Sequence, residues 1–354
     1  MQANFEARSG GIARLIFAAL LALFSVWGIS LYFFGVSVQY GNSVLNFVLV
    51  ALIFGMCNRS LTVKDRRNRV VSFVLGAVFS LFLVIGKSIN RTNSIYELFS
   101  SGTALFSSLL MFLGLTTLLG CALTLLFWWL MEKAHLAMVP TKNQRRFFRS
   151  NVSSFFAVWL VILLAWGICY LACFPGYWTY DLSKQARFIL GLEPYTQWHP
   201  VIHTEFLRIF INIGERQRDM RLALILYSVC QMLILSAMCS FSIWYLAKKN
   251  VHIGIRLAAL LYYALNPTIA LFSFLTTKDV IFGGLFLLSC IGITEMVLNT
   301  DAFFRSKPKR VGFSVVLLLT CLFRNNAIIA FAPAFIAALL IIRRYALRVS
   351  LVFV

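Results

Sequence analysis

Acidic side chains are scarce in this chain, with 12 Asp and Glu among 354 residues against 32 Lys and Arg. Charge of either sign is scarce too, at 12% of residues, while 60% are hydrophobic and the mean hydropathy is +0.85. Soluble domains carry about twice that share of charge, so an apolar core inside a polar shell is excluded. Alternation of polar and apolar residues over about ten positions is missing, which excludes a membrane barrel. The eight cysteines form no CxxC pair, and none lies in the long polar stretch after Cys173. Neither a disulfide framework nor a thiolate metal site is therefore suggested, and they read as small apolar packing residues. Low-complexity segments and clear internal repeats are also lacking.

What the chain does have is long apolar runs. Crossing a hydrocarbon layer of about 30 Å takes roughly 20 apolar residues in a helix. Runs at 15–35, 70–86, 104–131, 152–174, 222–247, 257–275 and 280–298 reach or approach that length, and 44–57, 311–322 and 327–342 are shorter candidates. The expected fold class is all-α, a polytopic transmembrane helical bundle of about ten spans with short amphipathic helices in a large outer loop. The first run is too long for the centre of a signal peptide and lacks a small-residue cleavage site, so it is expected to stay as a helix. After Arg348 the chain ends on VSLVFV, an apolar start without a finish. A truncated last helix is the expectation, with a segment lying along the membrane surface as the alternative.

The net charge of +20 reads as topology and not as a nucleic-acid footprint, because the cations fall in alternate loops. Arg8 and Arg14 precede the first run, Arg59 to Arg69 follow the second, and Lys142 to Arg149 follow the fourth. Lys248 and Lys249 follow the sixth, Arg305 to Arg310 the eighth, and Arg343, Arg344 and Arg348 the tenth. This is the positive-inside pattern. It implies a plasma-membrane protein with a cytoplasmic N-terminus, and it places the loops 37–43, 87–101, 176–221 and 273–279 outside.

The stretch GYWTYDLSKQARFILGLEPYTQWHPVIHTE, residues 176–205, holds three of the 12 acids and two of the four histidines. Its apolar positions recur at helical spacing, which predicts two short amphipathic helices with Pro200 in the first turn of the second. Asp181 reads either as a helix N-cap or as a carboxylate at the water–lipid boundary acting as general base. His199 and His203, four apart, would share one helical face and reach one phosphate or ion. Two imidazoles fall short of the three or four ligands of a zinc site, although Asp181 or Glu205 could complete a set. No cofactor is therefore called for. Tyr177, Trp178, Tyr195 and Trp198 suit the membrane interface and, equally, the face of a sugar ring.

Farther on, TTKDV sets Lys278 and Asp279 at the start of a helix. Thr276 or Thr277 can cap it, and Asp279 complements its dipole. Lys278 opposes that dipole, a conflict that a bound phosphate would remove. LFRNNA interrupts the last apolar stretch with Arg324, Asn325 and Asn326, either as polar backbone lining a cavity or as a plain outer turn whose arginine reaches the surface.

The Asp just after a helix (Pro175-Gly176 through Asp181), WHP at Trp198 to Pro200, TKD at Thr277 to Asp279 and FRNN at Phe323 to Asn326 together resemble the GT-C superfamily of membrane glycosyltransferases, over about residues 152–342. The resemblance implies a polyprenyl-phosphate sugar donor and makes Asp181 the base. Its departures are four helices ahead of the candidate module and no paired DD or DE acid around Asp181. The implied organisation is a four-helix membrane unit at 1–150 and a catalytic module at 151–354 with its outer loop at 176–219.

The expected activity is transfer of a sugar from a lipid-linked donor to a saccharide, lipid or protein acceptor at the outer face. Lys278, Arg324, Asn325, His199 and His203 would hold the phosphate, and Tyr177, Trp178, Tyr195 and Trp198 the sugar or prenyl chain. A transporter or flippase of a lipid-linked saccharide and a surface-polysaccharide polymerase or ligase are the competing expectations. In a cysteine-free background on intact cells, a membrane-impermeant maleimide is expected to label Glu193→Cys and to spare Lys64→Cys. The reverse pattern would invert the topology.

Overall fold

Apolar runs of this length form helices because, in hydrocarbon, each backbone N–H and C=O must be paired inside its own segment. The computed structural model describes residues 2–33, 35, 44–137, 151–194, 196 and 199–353. The loop 37–43, the cations Lys142 to Arg149, and Tyr195 and Trp198 lie outside the described residues. The chain is an all-α polytopic bundle. Among the described residues there is no β-strand, only an isolated parallel bridge between Tyr177 and Leu275.

Two compact units divide between Leu136 and Ala137. The first contains α1 (Gln2–Phe33), α2 (Val44–Leu61), α3 (Arg66–Thr92) and α4 (Gly102–Ala137). The second contains α5 (Val152–Ala172), α6 (Tyr180–Ile189), α7 (Val201–Gln217), α8 (Met220–Lys248), α9 (Ile253–Leu265), α10 (Pro267–Ser273) and α11 (Lys278–Leu298). It continues through α12 (Thr300–Arg305), α13 (Lys307–Phe323), α14 (Ala327–Ile341) and α15 (Ala346–Phe353).

Among the described residues six helices are long and apolar enough to cross a membrane, and eight if two bent pairs each count as one span. The expected ten adds the two shorter helices α2 and α13 to these eight. α2 is 18 residues long, and α13, of 17 residues, spends its first turn on Lys307, Pro308, Lys309 and Arg310. The run 257–275, expected as one span, breaks by 58° between α9 and α10. Asn266 caps α10 through its side chain, and Pro267 at the first position cannot continue the hydrogen bonding of α9. The final apolar residues turn 104° away from α14. There α15 packs on α13, with Ser314 Oγ donating to the Val352 carbonyl at 3.1 Å and Phe313 edge-on to Phe353.

Helices in lipid gain nothing from burying Leu against Leu, so packing at small residues decides which helices approach. In the first unit α3 buries Asn68, Ser72, Gly76, Ser80, Val84 and Ser88, one every fourth residue, and Asn68 Nδ2 donates to the Thr124 carbonyl of α4 at 3.2 Å. α1 and α4 cross at Gly28 and Gly114, where a Cβ on Gly114 would meet the Phe24 carbonyl oxygen at 2.2 Å. In the second unit α5 presents Val158, Ile162, Trp166 and Tyr170 to α8 and α9. The Trp166 indole donates to the Tyr263 carbonyl at 2.8 Å, and Ser240 Oγ donates to the Phe155 carbonyl at 2.7 Å.

α8 and α11 run side by side in the same direction. Gln231 in the first half of α8 bonds the segment leading into α11, and Lys249 just past the end of α8 pairs with Glu295 near the end of α11. The 21 residues of α11 extend about 30 Å, the thickness of the hydrocarbon layer.

Gly114→Val should destabilise the first unit by about 1–3 kcal/mol, because backbone cannot yield at that crossing. Gly55→Ala, where nothing lies within 4 Å of the added Cβ, should stabilise α2 by about 0.5–1 kcal/mol. Thermal unfolding of the purified protein in detergent reads both, and equal shifts would contradict the close crossing.

Candidate functional site

The site is built where the chain leaves α5. Gly176, at φ +110°, turns the backbone so tightly against α8 that a Cβ there would lie 2.9 Å from Ser228 Oγ. The next residues run beside 275–277. Tyr177 bridges Leu275, Thr276 Oγ1 donates to the Tyr177 carbonyl at 2.6 Å, and the Thr179 N–H donates to Thr276 Oγ1 at 3.2 Å. Thr179 Oγ1 also donates to the Thr276 carbonyl at 2.5 Å. Two helices start immediately after this latch, α6 at Tyr180 and α11 at Lys278.

Their starts bring four charged side chains together. Asp181, in the first turn of α6, meets Lys278, the first residue of α11, at 3.3 Å. Asp279 meets Arg324 of the α13–α14 turn at 2.5 Å, and the Arg324 guanidinium lies 5.3 Å from the Phe282 ring centroid. Asn325 is exposed in the same turn, so LFRNNA is a turn at the site end of α13. Tyr177, Trp178 and Tyr180 are 50%, 40% and 73% exposed beside Asp181.

Three details decide between the alternatives that the sequence left open or replace them. Asp181 is not the cap of α6, because the Thr179 hydroxyl accepts the Leu182 N–H at 3.3 Å and leaves the carboxylate free to pair. Thr277, not Thr276, caps α11, since Thr276 is spent in the latch. The conflict of Lys278 with the helix dipole is answered within the chain by Asp181, so it does not by itself call for a bound anion.

Beneath the ion pairs runs a buried polar chain. The Gln185 amide lies 3.2 Å from His199 Nδ1, 2.7 Å from His203 Nδ1 and 3.3 Å from Thr204 Oγ1. His203 Nε2 is 2.9 Å from the Tyr227 hydroxyl, which is 2.9 Å from Gln231 Oε1. Gln231 Nε2 donates to the Ser273 and Leu275 carbonyls at 3.0 and 2.8 Å. Pro200 is the residue before α7 and not within its first turn, and His199 precedes the helix altogether. The two histidines therefore do not share a helix face and converge instead on Gln185.

Counting protons sets the direction of this chain. Gln231 spends both amide hydrogens on backbone carbonyls, so its oxygen takes the single Tyr227 proton. Tyr227 can then only accept from His203, which carries its proton on Nε2. Burial, with Lys278 and His199 adding to it, pushes the His203 pKa down to about 4, so the imidazole is neutral and its Nδ1 is a bare lone pair. The Gln185 amide must turn its NH2 to His203 and its carbonyl to His199, an end-for-end choice that leaves every distance unchanged. His199 consequently donates from Nδ1 and presents a lone pair on Nε2, for which no hydrogen bond is formed among the described residues. Burial and then the Lys278 charge also hold His199 below the usual imidazole range.

His203 is fully buried with both nitrogens engaged. It cannot touch a phosphate, and its expected ligand role gives way to positioning. Gln185, Tyr227 and Gln231 were not singled out from sequence. The available signal was Gln231, an amide inside an otherwise apolar run, with Tyr227 one turn before it. Below Asp279 an apolar groove of ≈ 460 Å³ descends along α8, α10 and α11, lined by Leu235, Ile269, Phe272, Gly283 and Leu287. Among the described residues no three His, Cys, Asp or Glu side chains gather as a metal set.

A family described as a family of unknown function, DUF6020, matches residues 191–354. The match includes His199, His203, Lys278 and Arg324 and begins after Asp181. No curated protein and no solved structure matches the chain.

The depressed His203 pKa carries a stability term. The unfolded imidazole, at about 6.5, binds its proton before the folded one, so this stability is complete above pH 6.5 and is lost as the pH falls toward 4. At pH 5 the loss is about 2 kcal/mol. His203→Gln should lower stability at pH 7.5 and flatten its fall between pH 6.5 and 5, read by thermal unfolding in detergent. An unchanged pH slope would show that His203 is not buried as a neutral group.

Proposed function

We propose that this chain is an inverting glycosyltransferase that uses a polyprenyl-phosphate-linked sugar at the outer face of the plasma membrane, with Asp181 as general base. The observation that carries the reading is the Asp181–Lys278 pair at 3.3 Å, set where the starts of α6 and α11 meet. Both helix starts aim backbone N–H groups at this point, which favours an anion. A donor phosphate that takes Lys278 releases the Asp181 carboxylate beside the anomeric carbon. Acid and cation thus neutralise each other at rest and separate when the substrate arrives.

Phosphate leaves as a stable anion and needs charge neutralisation more than a proton, so one carboxylate suffices where glycosidases use two. Lys278 and Arg324 neutralise the departing phosphate, with Asn325 within reach on the same turn. His199, offering a lone pair and not an N–H, accepts from a second hydroxyl of the acceptor, which leaves the reacting hydroxyl to donate to Asp181, and it does not hold phosphate. Tyr177 and Trp178 form the aromatic face for the sugar. The apolar groove below Asp279 takes the start of the prenyl chain. The broken α9–α10 pair is also a feature of transporters, which keeps a lipid-linked saccharide carrier as the rival.

Proteoliposomes loaded with polyprenyl-phosphate sugars and an oligosaccharide acceptor separate the two. Wild type should release polyprenyl phosphate and form a glycosidic product. Asp181→Asn should lower the rate about 10²–10⁴-fold with insertion and thermal midpoint retained. Wild-type rates in that variant would remove the base role, and flux of intact donor without covalent transfer would replace the enzyme with the carrier.

A further inference from the structure

The opposite end of α8 and α11 holds a second polar cluster. Glu295 Oε1 accepts from Lys309 Nζ at 2.9 Å, while Oε2 takes Lys249 Nζ at 2.5 Å, the Tyr245 hydroxyl at 3.1 Å and Asn299 Nδ2 at 2.9 Å. Both oxygens are engaged, so Glu295 can neutralise nothing more. Lys248 lies 5.1 Å from the Trp244 ring centroid on the same rim. Three lysines against one glutamate leave two positive charges over.

Directly below opens an apolar groove of ≈ 420 Å³ between α8, α11 and α13, walled by Phe241, Leu288, Ile291, Phe313 and Val316, with Lys248 and Lys309 at its mouth. Glycine makes the space. Gly292 lets the Phe313 ring approach α11 closely, where a Cβ would meet it at 2.2 Å, and Gly312 faces open volume with nothing within 4 Å.

We propose that this groove binds an anionic phospholipid, with its phosphodiester between Lys248 and Lys309 and an acyl chain along the apolar wall. The chemistry of the site selects this occupant. Surplus positive charge at the rim of a membrane-spanning unit attracts an anionic headgroup. The wall beneath offers almost no hydrogen-bonding groups, so a free phosphate ion would use the rim and leave the groove unfilled. A zwitterionic lipid would fill the groove and leave the charge surplus. The site lies about one hydrocarbon thickness from Asp181 and stands independently of the glycosyltransferase reading.

Native mass spectrometry of the full chain, released from mixed micelles of phosphatidylglycerol and phosphatidylcholine, tests this. Wild type should retain phosphatidylglycerol at least about fivefold over phosphatidylcholine, the preference that one lysine at an anionic lipid surface confers. Lys248→Gln should erase the preference, Gly312→Leu should lower retention of both lipids, and glycerol phosphate should not compete. The thermal midpoints of both variants in lipid-free detergent should match wild type, because neither residue belongs to the Glu295 cluster. Equal retention of the two lipids by wild type, indifference to both substitutions, or displacement by glycerol phosphate would each overturn the proposal.

Discussion

Two short backbone segments hold the candidate site together: residues 177–179, leaving α5, and residues 275–277, entering α11. They are joined by a parallel bridge and by hydrogen bonds through Thr179 and Thr276. In a largely apolar unit such paired backbone is needed, because neither segment is helical and each would otherwise carry unpaired N–H and C=O groups. The latch also decides where α6 and α11 begin. Asp181 and Lys278 follow it by two residues or fewer, so their pairing is a consequence of the backbone and not a separate fit of side chains.

A second tie runs below the first. Gln231 anchors the latch segment to α8 through the Ser273 and Leu275 carbonyls and passes a fixed proton order through Tyr227 and His203 to Gln185 and His199. Apart from His199 Nε2, each group in this chain has its partner among the described residues, which is the condition for keeping polar atoms in a dry interior. Removing any one of them leaves its neighbour unpaired, so the proton position on His199 depends on a glutamine more than thirty residues away in sequence.

Much of the fold is legible in the residues, because apolar length alone predicts helices and the placement of cations groups the loops. Asp181, Lys278 and Arg324 could be assigned to one end of the helices from that grouping, although nothing local says that they meet. What escaped prediction was decided by competition between neighbours. Asp181 looked like a cap until Thr179 took that role, and Lys278 looked like a cation awaiting a ligand because its partner is 97 residues away. Asn266-Pro267 carried a readable break that the length of the run concealed. Gln185 gave no signal, since an isolated glutamine on an amphipathic helix is ordinary and its importance arises only from the two imidazoles packed on it.

The second unit thus has a polar cluster at each end and hydrocarbon-compatible packing between, with acid and cation paired at one end and positive charge in surplus at the other. Its central claim is that residues 179 and 276 lie side by side and so set the starts of both site helices. In a chain with its eight native cysteines replaced, Thr179→Cys with Thr276→Cys should form an intramolecular disulfide on mild oxidation in native membranes. Thr179→Cys with Thr300→Cys, which the length of α11 holds apart, serves as the reference. Rapid, near-complete bridging in the first pair alone is the predicted result. Failure of Thr179 and Thr276 to bridge in folded, membrane-inserted protein would contradict the latch and separate Asp181 from Lys278.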